Sequence, residues 1–183
     1  MYTQVRFAPA QESYNPSEEL ILLVDKDNQP IGSCARKEMR QKNLTHRSTF
    51  VFVLNNEGKL YVQKRTTTKD VFPGFYDICT GGVVAASDPS ILDSARRELQ
   101  EEIGINPENV EFCFYHLYQD EKTSVWCACF LTYWDGELVL QPEEVQWIEL
   151  MSTDEIFTRS QTENFCPDAI VLLRMMIDQG RIR

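Results

Sequence analysis

Gly82-Val-Val-Ala-Ala-Ser-Asp88-Pro89-Ser-Ile91-Leu92-Asp-Ser-Ala95-Arg-Arg97-Glu98-Leu99-Gln-Glu101-Glu102-Ile103-Gly104-Ile105 is the most informative stretch of this 183-residue chain. At about 100° per residue, Ile91, Leu92, Ala95, Leu99 and Ile103 align as one apolar stripe, so the spacing predicts a helix over 88–103 with a buried face. Asp88 reads as its N-cap, Pro89 as its first residue and Gly104 as its stop. Glu98, Glu101 and Glu102 fall on an arc of about 100° beside the stripe. Like charges three and four residues apart each cost roughly 0.2–0.5 kcal/mol on an isolated helix, and partial burial adds to that. Arg97 reaches Glu101 one turn away but brings one charge against three. A divalent cation would balance the remainder, and hard oxygen donors with no His or Cys nearby select Mg²⁺ or Mn²⁺. The same pattern also describes an exposed, Glu-rich helix face.

Upstream of this helix the chain reads as strands. Glu19 to Asp25 and Ile31 to Cys34 form a hairpin around Asp27-Asn28-Gln29-Pro30, followed by a short helix over 36–42. Ser48 to Leu54 and Lys59 to Arg65 form a second hairpin around Asn55-Asn56-Glu57-Gly58. In its second arm Leu60 and Val62 share one face while Tyr61, Gln63 and Arg65 share the other. Residues 72–84 read as a strand interrupted by Gly81-Gly82, the mark of a kink or a close backbone approach. Downstream, strands are expected at 109–117, 123–134 and 144–149, with helices near 152–158 and 167–178. Ile170, Leu172, Leu173 and Met176 supply the core face of the last. Residues 1 to about 17 read as a loose tail.

Bulk composition excludes several classes. At 43% apolar and 25% charged residues, the chain suits one globular domain rather than a disordered or fibrous one. Its uninterrupted apolar runs, such as Leu20–Val24, Phe50–Leu54 and the longer Val125–Leu131, fall far short of the roughly 20 residues of a membrane-spanning helix. Met1-Tyr-Thr-Gln-Val-Arg-Phe7 has no secretory pattern, so a cytoplasmic location is expected. The six cysteines are spread out and expected to be reduced, and Cys127-x-Cys129 alone offers no zinc site. Net charge is −10, yet Arg36 to Lys69 holds nine basic and two acidic residues. That distribution argues against a long nucleic-acid partner and allows a small anion held by one basic patch, or simply a solvated basic surface.

Arg97-Glu98-Leu99-Gln100-Glu101-Glu102-Ile103-Gly104-Ile105, preceded by Gly82, five residues and an acidic residue, resembles the Nudix box. The pattern of that box is Gly, five residues, Glu, seven residues, then Arg-Glu-apolar-x-Glu-Glu-x-Gly-apolar. Pro73-Gly74, Asp77 and Gly81-Gly82 resemble the approach to it. Two departures stand out: Asp88 replaces the Glu, and eight residues rather than seven separate it from Arg97. The resemblance implies an α/β/α sandwich with a mixed central sheet. It also implies a division into residues 1–45 (arm, hairpin, short helix) and 46–183 (Nudix domain, box about 82–105).

The implied activity is metal-dependent hydrolysis of a nucleoside-diphosphate-linked or related diphosphate, by water attack on phosphorus. By the same resemblance, Glu98, Glu101, Glu102 and the Gly81 carbonyl would hold Mg²⁺ or Mn²⁺ while Arg97 orients a neighbouring glutamate. Glu102, or Glu143 or Glu144 in Pro142-Glu-Glu-Val145, would act as general base. Arg65 and Lys64, with Arg47, are expected at the phosphates. A small-molecule diphosphate is the expected partner, with no membrane, and a homodimer is a family-level expectation. Two other readings stay open. The first half, with His46-Arg47 before a strand, resembles type I isopentenyl-diphosphate isomerases, whose catalytic cysteine position falls here on Gly81, two residues after Cys79. A nucleotide-binding module without catalysis is the other.

Overall fold

The computed structural model describes residues 4–10 and 15–183. Much of the expected loose tail, residues 1–3 and 11–14, lies outside the described residues. The structure turns on two strands that part company. β4 (His46–Leu54) and β5 (Leu60–Arg65) form the expected hairpin, whose turn is held by the Asn55 side chain accepting the Glu57 and Lys59 N–H groups. They pair at Leu54 and Leu60, then diverge. β4 runs parallel to β8 (Ser124–Tyr133), and β5 runs antiparallel to β10 (Val145–Met151).

The segment after residue 75 fills the fork. β6 (Tyr76–Asp77) pairs with β5, then Thr80 and Val83 bridge to Val51 and Ser48 of β4. Close approach demands glycine here, because a Cβ on Gly81 would lie 2.1 Å from the Thr49 carbonyl oxygen. β7 (Glu111–Gln119) lines the outer side of β8. β2 (Leu20–Val24) and β3 (Pro30–Ala35) form the first hairpin, joined to β4 where Leu23 meets His46. Parallel and antiparallel pairs thus coexist in one sheet of eight strands.

Helices cover both faces. Alternation along β4 sends Val51 and Val53 to one side, where they pack with Ala95, Leu99 and Ile103 of α2 (Ile91–Ile103). Phe52 and Leu54 go to the other side, against Leu172, Leu173 and Met176 of α4 (Pro167–Asp178) and Ile156 of α3 (Thr153–Arg159). The result is the expected α/β/α sandwich. Leu99 is fully buried, so cutting it to Ala would cost about 2–5 kcal/mol. α1 (Arg36–Gln41) packs Met39 on Ile21 and Val83, which brings the first hairpin to the open end of the fork.

Several local expectations need correcting. Helix α2 starts at Ile91 with Ser90 as N-cap, not at Asp88-Pro89, because the Ser90 hydroxyl accepts the Asp93 N–H while Asp88 is drawn to Arg97. Part of the tail is ordered: β1 (Val5–Phe7) pairs in parallel with β9 (Leu138–Leu140), a strand too short for its pattern to register. The strand expected at 109–117 runs over Glu111–Gln119. All six cysteines are free thiols. Among the described residues, no helix is long and apolar enough to cross a membrane.

Candidate active site

The end of the fork opens into a cleft of about 440 Å³ lined from both helical layers. On the α2 wall, helical spacing turns Glu102 inward, leaves Glu98 at the edge and Glu101 outside; their side chains are 4%, 12% and 52% exposed. Arg97 gathers this wall. Its guanidinium donates to Glu98 at 2.8 Å, to Glu101 at 3.0 Å and, through two nitrogens, to Asp88 at 3.0 and 3.1 Å. Asp88 also accepts the Ala85 N–H at 2.9 Å, so it anchors Arg97 and the loop before α2 together. The extra residue between Asp88 and Arg97 is absorbed by that loop and the Ser90 cap. The mutual spacing of the glutamates is unchanged.

Glu102 is the best-held carboxylate. It accepts from Gln63 Nε2 at 3.3 Å, from the Gly81 N–H at 3.4 Å and from Lys69 Nζ at 3.4 Å. Lys69 also ion-pairs with Glu144, which the turn before β10 delivers from the opposite side. Thus Arg97 and Lys69 between them hold Glu98, Glu102 and Glu144, and Arg97 must also serve Asp88 and Glu101. Burial, and then the neighbouring Glu102 charge, hold the Glu98 carboxyl well above the usual carboxylate range. Burial also lowers the Lys69 ammonium below its ordinary value.

The remaining basic residues divide sharply. Arg65 lines the cleft, but its fork is fully used: Asp77 at 3.1 Å, the Val71 carbonyl at 2.9 Å and the Phe72 carbonyl at 3.3 Å. It therefore braces the 66–75 loop that carries Lys69. Lys64, the next residue on β5, points to the other face and sits 3.9 Å above the Tyr76 ring. Arg47 turns to the first hairpin, donating to the Asn28 side chain at 2.8 Å and carbonyl at 2.6 Å. Neither Lys64 nor Arg47 lines the cleft, so the expectation that they meet phosphate is corrected: strand alternation sends one away and a local turn captures the other.

In their place the cleft receives Arg36 and Arg40 from α1. Both donate to Asp70, at 3.2 and 3.1 Å. One turn separates them on the helix, a spacing visible in the sequence but indistinguishable there from a solvated face. His46 is buried beside Arg40, and burial together with that guanidinium lowers its pKa to about 4, so it is a neutral structural imidazole. Its Nδ1 lies 3.0 Å from the Leu44 carbonyl, which places the proton there. Gln63 and Lys69 were not legible as site residues either, since neither belongs to a spaced pattern.

The donor set suits a hard cation. Its oxygens are carboxylates, it lacks sulfur and imidazole donors, and Gly82 leaves the space that Glu98 fills, since a Cβ there would lie 2.5 Å from Glu98 Oε1. Among the described residues, no three His, Cys, Asp or Glu groups converge closely enough to ligate one ion as they stand. Arg97 and Lys69 hold the oxygens instead.

A forked mixed sheet between helices, with this glutamate-bearing helix across the fork, defines the class: a Nudix-fold hydrolase. The chain belongs to the Nudix family, the NUDIX domain model matching residues 44–172. It is 36% identical over 160 residues to an uncharacterized Nudix hydrolase, PA4841, of Pseudomonas aeruginosa, covering 87% of this chain and 94% of that protein. It is 38% identical over 168 residues to the uncharacterized Nudix hydrolase YfcD of Escherichia coli, covering 90% and 89%. Among solved structures, DR0079 from Deinococcus radiodurans superposes with a TM-score of 0.72 at 21% identity, covering 86% of this chain and 98% of that one. The NUDIX domain of Shewanella oneidensis NrtR, solved with ADP ribose, gives 0.59 at 14% identity, covering 73% and 86%. At such identities these structures establish the fold.

Proposed function

We propose that the chain hydrolyses a diphosphate linkage in a small molecule, a nucleoside-diphosphate-linked or related compound, with Mg²⁺ or Mn²⁺. The observation that carries this reading is the convergence of Glu98, Glu102 and Glu144 on one cleft that also receives Arg36 and Arg40 from α1, with Lys69 between Glu102 and Glu144. A diphosphate bridges such groups when a cation covers the carboxylates. Bound there, the ion would neutralise phosphate charge and acidify water.

Glu98, Glu101 and Glu102 would hold the metal. Of the two glycine carbonyls, Gly82's accepts the Thr49 N–H at 2.9 Å, which leaves Gly81's for that role. Arg97 positions Glu98 and Glu101, while Glu102 and Glu144 are the bases within the cleft that could take the proton of the attacking water. Arg36, Arg40 and Lys69 would contact phosphate, and Arg65 would keep their loop in place. The isomerase reading loses its acid/base group, since a side chain at Gly81 collides with Thr49 and burial pushes the Cys79 thiol far up.

The experiment is a panel of dinucleotides, nucleotide sugars, ADP-ribose and nucleoside triphosphates, assayed with and without Mg²⁺ for phosphate or nucleoside monophosphate. Metal-dependent release that Glu102→Gln abolishes, with the fold intact, supports the reading. Turnover by that variant equal to wild type refutes the assigned site. Thermal stabilisation by a nucleotide without turnover would favour a binding module.

A further inference from the structure

The cleft continues past the carboxylates to the α4 layer, where its lining changes character. Phe50, Cys79, Val125 and Cys166 line this end, and all belong to or pack on the core between the sheet and α4. Two carboxylates stand among them, Asp77, which is paired with Arg65, and Asp168. Asp168 is 8% exposed and lines the same cleft. It does not cap α4, whose N-cap is Cys166, and its side chain accepts the N–H of the adjacent Ala169 at 2.8 Å. The guanidinium that acts on it, Arg65, is already paired with Asp77.

Burial, and then the Asp77 charge, raise the Asp168 carboxyl to about 7. A buried carboxylate with no ion-pair partner costs stability that an apolar residue would not. With Arg65 and Asp77 cancelling, the pocket is neutral or carries one negative charge. Its ionised form would repel a phosphate, and either form presents a carboxyl oxygen to a hydrogen-bond donor.

We infer that the α4 end of the cleft seats the organic group of the diphosphate ester, and that Asp168 accepts a hydrogen bond from a hydroxyl or ammonium on that group. This rests on the hydrolase reading for the placement of the diphosphate between the α1 and α2 walls. It gives the substrate a direction, with charge toward α1 and α2 and a compact donor-bearing group toward α4. Asp168 is then a specificity residue.

Three size-matched probes test this: n-propyl, 2-hydroxyethyl and 2-aminoethyl diphosphate. Dissociation constants are measured by titration calorimetry with Ca²⁺, and hydrolysis is followed separately by ³¹P NMR with Mg²⁺. Wild type should bind one or both donor-bearing esters about tenfold or more tighter than the propyl ester. Asp168→Ala should collapse that preference. Asp168→Asn, which preserves shape, should retain some hydroxyl preference and lose any ammonium preference. Circular dichroism confirms that each variant is folded. Equal affinity for all three esters, no measurable binding, or a preference that survives Asp168→Ala overturns the inference, even where all three are hydrolysed. Absence of hydrolysis with the binding preference intact counts against the hydrolase reading alone.

Discussion

The Glu98 carboxylate lies where a side chain on Gly82 would be: a Cβ there would fall 2.5 Å from Oε1 and 2.6 Å from Oε2. Arg97 holds that carboxylate at 2.8 Å, so it is not a loose chain end that can step aside. Gly82→Ala should therefore displace Glu98 and lower turnover about 100-fold, the scale of a misplacement near 1 Å. Steady-state kinetics beside a circular dichroism spectrum check this. A fully active, well-folded variant would show that the Gly82–Glu98 contact is dispensable.

Lys69 stands between Glu102 and Glu144 with all three side chains nearly buried. Removing one member of a buried ion-paired group costs about 3–5 kcal/mol, chiefly by stranding its partners. Lys69→Met should lower the melting temperature in EDTA, and Mg²⁺ should restore more of it than it adds to wild type. Identical metal-induced shifts in the two proteins would mean that the ion and the lysine do not share these carboxylates.

Arg65 and Lys64 are neighbours with opposite fates. Arg65→Met breaks a pair whose side chains are 11% and 13% exposed and frees two loop carbonyls, so a loss of about 3 kcal/mol is expected in denaturant titration. Lys64→Ala gives up a cation–ring contact worth about 1 kcal/mol and should leave turnover unchanged. A kinetic defect in Lys64→Ala as deep as that of Arg65→Met would contradict their placement on opposite faces.

Asp168 makes stability depend on pH. Its folded pKa of about 7 stands above the ordinary 3.8, so the folded chain keeps a proton that the unfolded chain releases. As pH rises through that interval, unfolding gains from ionisation and the contribution to stability falls. The groups facing it are Asp77, Arg65, Cys79, Cys166, Cys127 and Tyr118. Asp168→Asn removes the penalty. Its melting temperature relative to wild type should be higher at pH 8 than at pH 5, by about 2–4 °C for each kcal/mol relieved. A constant difference across both pH values would rule out the shift.

Local periodicity carried much of this architecture. The apolar stripe from Ile91 to Ile103 places α2 on the core, Gly104 ends it in a left-handed turn, and alternation along β4 and β5 assigns each face. Such patterns are legible because helix and strand periods act over a few residues. Asp88 imitates a helix N-cap for the same reason, since its helix-start signal is local whereas its pull toward Arg97 acts across nine residues.

What the chain alone determined was the helix with its three glutamates, the paired glycines and the strands around them, because these follow from spacing along one segment. Which cations meet those glutamates was decided by tertiary structure. The divergence of β4 from β5 opens the cleft, and packing of Met39 on Ile21 and Val83 brings Arg36 and Arg40 to it. Lys69, Glu144 and Asp168 arrive from three separate loops and helix ends. Electrostatic partnership depends on distance in space, and only the folded sheet sets those distances.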